Sequence, residues 1–264
     1  MTMPSTSHAK RNPFPVNWPS RIIWVALLAY LVYALSLIDI SSERMIAGFG
    51  HGADMLGRMV PPDFSRWSLL LEGLLESLEI AILASAVGIT LSLPIGFFAA
   101  RNMMPPWVSW PARTLIAVCR SFHPVIVAII FVKAVGFGAL AGILALIVAS
   151  VGFIAKLFAE AIEEISLKQV EAVRASGASF GNVIIFSVVP QVLSRFVGFS
   201  TYQVDSNLRN STMVGIVGAG GIGGTLFSAF QRFDYDFVAA ILISLIAVIM
   251  AGEYFSTWVK GVFK

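Results

Sequence analysis

The sequence predicts an all-α integral membrane protein with six transmembrane helices, and three observations carry that prediction. The 264-residue chain is 57% hydrophobic and only 12% charged, against roughly half apolar and a quarter charged in a soluble domain. Its mean hydropathy of +0.84 leaves too little charged surface to solvate a globule and too much apolar surface for a disordered chain. The apolar residues fall into separate runs, and six spans of about 20 residues would use nearly half the chain.

The elements follow in order. Residues 1–21 form a polar cytoplasmic segment carrying Lys10, Arg11 and Arg21. The apolar run 22–38 is longer than a signal-peptide core and has no small-x-small cleavage site at Ser36-Leu37-Ile38-Asp39, so it reads as the first transmembrane helix. Residues 39–79 read as an external loop with an interfacial helix: 39–66 mixes charge, glycine and Pro61-Pro62, and 67–79 repeats leucine at helical spacing with Glu72, Glu76 and Glu79. The core, 80–264, then holds five spans: 80–100, 114–135, 139–161, one starting near Val192, and 237–258. Its longest internal loop is about 163–190.

Charge sets the orientation. Lys10, Arg11, Arg21, Arg101, Arg113, Lys168, Arg174, Lys260 and Lys264 fall on one side of this topology. Arg44, Arg58, Arg66 and Arg232 fall on the other, each near acidic residues. The positive-inside rule makes the first side cytoplasmic, with both termini there. The same rule explains the net charge of +3 without nucleic acid as a partner, because no basic run interleaved with aromatics occurs.

Several chemistries are excluded. No G-x-x-x-x-G-K-[ST] loop is present, so the chain does not cradle and hydrolyse a nucleotide by itself. No H-E-x-x-H occurs, and His8, His51 and His123 are scattered. The single cysteine, Cys119, rules out internal disulfides and cysteine metal clusters. Gly218-Ala219-Gly220-Gly221-Ile222-Gly223 matches G-x-G-x-x-G, but a dinucleotide fingerprint needs a strand before it and a βαβ unit around it. Between membrane spans, these glycines read as backbone that bends or packs tightly.

Two segments carry function. Glu171-Ala172-Val173, Gly177 and Pro190 follow E-A-A-x-x-x-G, nine residues, I-x-L-P, departing at Val173, Ser187 and Val189. The spacing predicts a short helix over 166–176, ended by Gly177 in the left-handed conformation, with Pro190 marking re-entry into the membrane. The second segment, 200–212, is polar although it lies in the fifth span; its clearly apolar residues are Val204 and Leu208. Ionisable groups there face a bundle interior or water. Asp205, Asn207, Arg209, Asn210, Ser211 and Thr212 are therefore candidate translocation-path residues, although Asp205 and Arg209 at i,i+4 can also neutralise each other structurally.

The 171–190 pattern resembles the cytoplasmic coupling loop of permease subunits in binding-protein-dependent ABC importers. The run Ser211 to Gly223, the stretch Asp205-Ser206-Asn207-Leu208-Arg209-Asn210, the segment Pro61 to Trp67, and Glu160-Ala161-Ile162-Glu163 are similar to phosphonate-importer permeases. His123-Pro124 and Lys133 depart from that pattern. The resemblance implies the type I, methionine/phosphonate-like permease fold in a bacterial cytoplasmic (inner) membrane. It implies a homodimer, two cytoplasmic ATPase subunits gripping Glu171, Ala172, Gly177 and Pro190, and an external substrate-binding protein. No cofactor belongs to this non-catalytic chain, ATP and Mg being bound by the ATPase. Gly215, Gly218, Gly220, Gly221 and Gly223 become gate or tight-packing glycines. The cargo that the resemblance implies is a phosphonate-type anion (phosphonate, phosphite or hypophosphite). The alternatives are another small solute such as methionine, or an ion-coupled secondary transporter that has no need of the cytoplasmic motif.

Overall fold

Helix formation follows the apolar runs closely, with one exception where a run is broken in the middle. The computed structural model describes residues 18–37 and 41–262, and among the described residues every regular element is helical. Lys10, Arg11, Asp39, Lys264 and most of the N-terminal segment lie outside the described residues. Two compact units emerge, Met1–Asp54 and Met55–Lys264.

In the first unit, α1 (Trp18–Leu37) has 20 residues and a hydropathy of 1.8, about 30 Å of apolar helix and enough to cross a hydrocarbon core. Helix α2 (Ser42–Arg58) corrects the expectation of an irregular loop here. Met45, Phe49, Ala53 and Leu56 recur at helical spacing and outweigh the propensity cost of the four glycines in this stretch. Glu43 in the first turn and Arg58 in the last both complement the helix dipole.

The second unit is built around α3 (Trp67–Ala99) and α6 (Ala139–Glu163). Nothing breaks α3 between Trp67 and its single internal Pro94, so the predicted interfacial helix is the first part of one 33-residue helix. Its buried stripe is almost entirely small: Gly73, Ser77, Ala81, Ala84, Ser85, Gly88, Ser92, Gly96 and Ala99. The facing stripe of α6 contains Ala141, Gly142, Ala145, Ser150, Gly152, Ala155 and Ala159. Where lipid is as apolar as leucine, close backbone approach supplies the contact energy. A Cβ at Gly88 would fall 2.5 Å from Ser150 Cβ, so no larger residue fits this crossing.

The third span is the exception. The expected single helix over 114–135 is instead α4 (Pro106–Ser121) and α5 (Pro124–Val135), bent by 90°. Proline has no N–H to donate and disfavours helix in the residue before it, so it suits a first helical position. His123 caps the new helix, its Nδ1 accepting the Val125 N–H at 3.3 Å. The departure His123-Pro124 is thus the hinge of a broken span.

The chain continues through α7 (Leu167–Ala175) and α8 (Phe180–Val183), a π segment Ile184–Val188, and α9 (Val189–Ile216). Residues Phe180–Ile216 form one continuous helical run of 37 residues, so Pro190, expected where the chain re-enters the membrane, lies within helix and not at a break. The missing N–H of Pro190 is absorbed just upstream, where Val189 N–H bonds the Ile184 carbonyl five residues back; such π turns are the common way to keep a helix running past an interruption. A short α10 (Ile222–Gln231) follows the glycine-rich turn, and α11 (Tyr235–Val262) ends the fold. Among the described residues five helices are long and apolar enough to cross a membrane, or six with the bent pair as one.

At the N-terminal end of α3, Arg66 binds Asp234 at 3.2 Å and lies 3.9 Å over the Phe237 ring. Asp63 N–H reaches the Asp236 carbonyl. Ser65 donates its hydroxyl and its N–H to the Asp63 carboxylate, which holds that carboxyl below its ordinary range. The segment after Val60 is therefore latched onto α11, and the body begins well before residue 80.

Candidate functional site

At the end of the bundle that carries α7, segments of three helices meet at Glu163. Its Oε1 accepts the Arg101 N–H at 2.8 Å and the Arg113 guanidinium, while Arg113 Nε donates to the Ala99 carbonyl and Asn102 Nδ2 to the Ile162 carbonyl. This clamp fixes the base from which α7 projects. In the sequence, Arg101 and Arg113 signalled topology only; their shared partner Glu163 is a gain of the three-dimensional structure.

Helix α7 is held by one buried residue, Val170, seated among Ile162, Phe158, Val183, Val188 and Val192. Glu171 and Ala172 are exposed beside it. Gly177 has φ +79° and its N–H bonds the Arg174 carbonyl at 3.0 Å. No atom lies within 4 Å of where its Cβ would be, so conformation and not space demands glycine. Pro190, exposed, stands at the second position of α9. Two side chains tie this lever to α9. Gln191 Oε1 accepts the Ser166 N–H and its Nε2 donates to the Ser187 carbonyl, while Arg195 pairs with Glu164.

In the membrane, α9 distributes the polar stretch over three faces. Asn207 is fully buried, donating to Ser85 Oγ and Ser150 Oγ, each at 2.9 Å. Gln203 donates to Ser150 Oγ and to Asn207 Oδ1, both at 2.9 Å. Ser211 is also fully buried and bonds the Leu208 carbonyl of its own helix; Thr212 is 9% exposed. Asn207, Ser211 and Thr212 were expected on the path, and here they lie inside helix contacts. Positions 203, 207 and 211 form an i,i+4 row, and that row faces α3 and α6.

The second face carries Asp205 with Ser200, Thr201, Val204 and Leu208, along an apolar crevice of about 640 Å³ between α3, α9 and α11. Asp205 Oδ2 accepts from Arg209 at 2.8 Å, and its Oδ1 is buried without a partner. The third face carries Tyr202, Ser206 and Asn210 and opens on a cleft of about 230 Å³ beside Arg120 of α4. Arg209 is more exposed than its partner, 43% against 12% for the side chains.

The C-terminal end of α9 turns back through the glycines. Gly218, Gly220 and Gly221 have φ of +86°, +82° and +82°, which L side chains rarely adopt. Gly218 carbonyl accepts the Gly138 N–H at 3.0 Å, and Ser77 Oγ accepts the Ile222 N–H at 2.9 Å. Gly215 and Gly223 lie so close together that a Cβ on Gly223 would overlap the Thr212 carbonyl. The G-x-G-x-x-G match is thus a helix–turn–helix hinge packed on α3, α5 and α6.

An all-helical body with four or more apolar spans, a polar seam inside the bilayer and a short exposed helix below it defines a polytopic transport permease. The chain belongs to the family of binding-protein-dependent transport system inner membrane components, whose model matches residues 92–263. It is 38% identical over 256 residues to the phosphite transport system permease protein PtxC of Stutzerimonas stutzeri, covering 95% of this chain and 92% of that one. It is 39% identical over 237 residues to the phosphate-import permease protein PhnE of Mycolicibacterium smegmatis, covering 89% of this chain but 44% of that longer protein. Its fold is similar to a chain in inward-facing structures of the MetNI methionine ABC transporter, with a TM-score of 0.68 at 22% identity over 76% of this chain and 99% of that one.

Proposed function

We propose that this chain is the transmembrane permease subunit of an ATP-driven importer for phosphonate-type anions, namely phosphonate, phosphite or hypophosphite. The observation that carries the reading is α7: an exposed helix closed by left-handed Gly177 and hydrogen-bonded through Gln191 to a helix that runs on across the membrane. An element so placed transmits force and performs no chemistry. Glu171 and Ala172 supply the docking face for a separate ATPase, Gly177 closes the docking helix, and Pro190 stands where the lever joins α9.

The anion class rests on the relatives named for phosphite transport and phosphate import and on the cationic and amide groups of α9. The working unit is two copies of this chain around a two-fold axis, with two cytoplasmic ATPases that bind ATP and Mg, and an external binding protein that delivers the cargo. The termini face the cytoplasm of a bacterial inner membrane. Arg209, Asn210 and Asp205 border the path, Asn207, Ser211 and Thr212 hold its wall in register, and the turn from Gly215 to Gly223 closes its outer end.

The test is reconstitution of the complex with its ATPase and binding protein in proteoliposomes. Phosphite and methylphosphonate uptake should require MgATP and survive ionophores that collapse proton and sodium gradients. Uptake driven by an ion gradient without ATP would overturn the reading.

A further inference from the structure

Arg120 is the penultimate residue of α4, and its side-chain stem lies against Gly152 at the middle of the 25-residue α6. It therefore sits near the middle of the bilayer, out of reach of either headgroup region. Among the described residues its guanidinium has no ion pair and no hydrogen bond. An intramembrane cation is expensive and is normally paired or functional. The other arginine of this region, Arg209, is already neutralised by Asp205 at 2.8 Å.

Arg120 is exposed, and the space beside it is open, with Phe122, Ala149 and Phe153 on its apolar side and Tyr202, Gln203, Ser206 and Asn210 on its polar side. The cleft of about 230 Å³ has room for roughly seven waters at ~30 Å³ each. Tyr202, Ser206 and Asn210 face Arg120 from α9. Asn210 Nδ2 reaches Ser206 Oγ at 3.4 Å, a bond long enough to yield to a better acceptor. Donors converge here, and no carboxylate lines the cleft. A guanidinium fork beside a hydroxyl and an amide matches a tetrahedral oxyanion. The position at the α4–α5 break also lets the cation move with the hinge, so that it can release what it attracts.

We infer that Arg120, with Ser206 and Asn210, forms the mid-membrane contact for the transported oxyanion. This rests on the proposed importer function and assigns its charge-selective residue. Arg209 is paired with Asp205 and does not carry that role.

The experiment uses the assembled complex in proteoliposomes, in a Cys119→Ser background. Arg120→Gln should slow phosphite uptake roughly ten- to a hundredfold, the loss of one charge-assisted hydrogen bond, while the ATPase still co-purifies. Arg120→Lys should keep a measurable part of the rate. Arg120→Cys should be inactive, then recover when 2-aminoethyl methanethiosulfonate restores a positive charge, but not when its uncharged methyl analogue is used. Excess phosphite should slow that modification. Normal uptake by Arg120→Gln, or equal rescue by the uncharged reagent, overturns the assignment. So does loss of assembly in Arg120→Gln that Arg120→Lys repairs without restoring uptake, the mark of a purely structural cation. Failure of the wild-type complex to move phosphite or methylphosphonate would instead overturn the anion reading, and this assignment with it.

Discussion

Gln191 and Ser166 are 25 residues apart in sequence and joined by a 2.8 Å hydrogen bond from the Ser166 N–H to Gln191 Oε1. Ser166 is the N-cap residue of α7, and its own hydroxyl does not cap the helix. The amide of Gln191 takes the N-cap N–H with one end and, with the other, the Ser187 carbonyl inside the π segment at 2.7 Å. One side chain therefore holds the lever, the π turn and the membrane helix in a single register. Arg195 with Glu164 adds a second tie, but both groups are more than half exposed, and such a pair contributes little by itself.

Gln191→Leu should accordingly uncouple the complex more than it destabilises it. The lost bonds amount to about 1–2 kcal/mol, too little to unfold the protein. ATP hydrolysis should persist while phosphite moved per ATP falls severalfold. An unchanged transport ratio would show that α7 passes its motion by the apolar seat of Val170 alone.

Gly177 separates conformation from contact. Its surroundings are empty and its φ is +79°, so the cost of a side chain is backbone strain of about 1–2 kcal/mol. Gly177→Asn, which tolerates the left-handed region, should assemble and transport close to the wild type. Gly177→Val should lose ATPase binding although the spans insert. Equal loss in both variants, scored by co-purification, would mean that the ATPase surface itself excludes a side chain here.

Ser150 is the acceptor shared by Gln203 and Asn207 at the crossing of α3, α6 and α9. Ser150→Ala leaves both amides short of a partner, at a cost of about 1–3 kcal/mol, towards the low end within a membrane. The thermal midpoint of the purified protein should drop. Ser92→Ala is the control, since Ser92 bonds only the Gly88 carbonyl of its own helix and should leave the midpoint near the wild type.

The extent to which the sequence disclosed this structure differs by kind of signal. Hydropathy located the spans, because a bilayer demands long apolar runs and little else imitates them. Gly177 was legible because a left-handed helix end admits few residues. Prolines were harder. Pro124 looked like the interior of one span and proves to start a helix after a right-angle break, whereas Pro190 looked like a boundary and lies inside a continuous span. Both prolines stand in the first turn of a helix, and whether the chain breaks before them or runs on through a π turn depends on the helices packed around it. The polar stretch was found by composition, but its three faces were not separated. Asn207 and Asn210 differ in role only because Ser85 and Ser150, far away in sequence, stand opposite one of them. Arg120 escaped for a related reason: being unpaired is a property of the assembled helices.

Side-of-membrane labelling tests the orientation. Cysteines introduced at exposed positions Arg232 and Lys168, in a Cys119→Ser background, should separate cleanly. An impermeant maleimide should reach position 232 in intact spheroplasts and position 168 only after permeabilisation. Labelling of 168 in sealed cells would reverse the assignment of α7 to the cytoplasm and remove the basis of the ATPase docking.

The pair Asp205–Arg209 decides whether the charged stretch of α9 serves the path or the helix. Asp205 is 12% exposed at its side chain; among the described residues its Oδ1 has no partner and its Oδ2 accepts from Arg209. Arg209→Ala therefore strands a carboxylate beside the apolar crevice, at a cost of about 1–3 kcal/mol, and uptake lost in that variant alone has two explanations. Removing both charges eliminates the stranded group. In Asp205→Ala with Arg209→Ala, thermal stability and ATPase co-purification should return to near the wild-type level. If Arg120 is the charge that selects the anion, phosphite uptake should return as well, to within a fewfold of normal, with its KM little changed. If the double variant assembles fully yet transports phosphite no better than Arg209→Ala, Arg209 contacts the moving anion directly, and the path holds two working arginines in place of one.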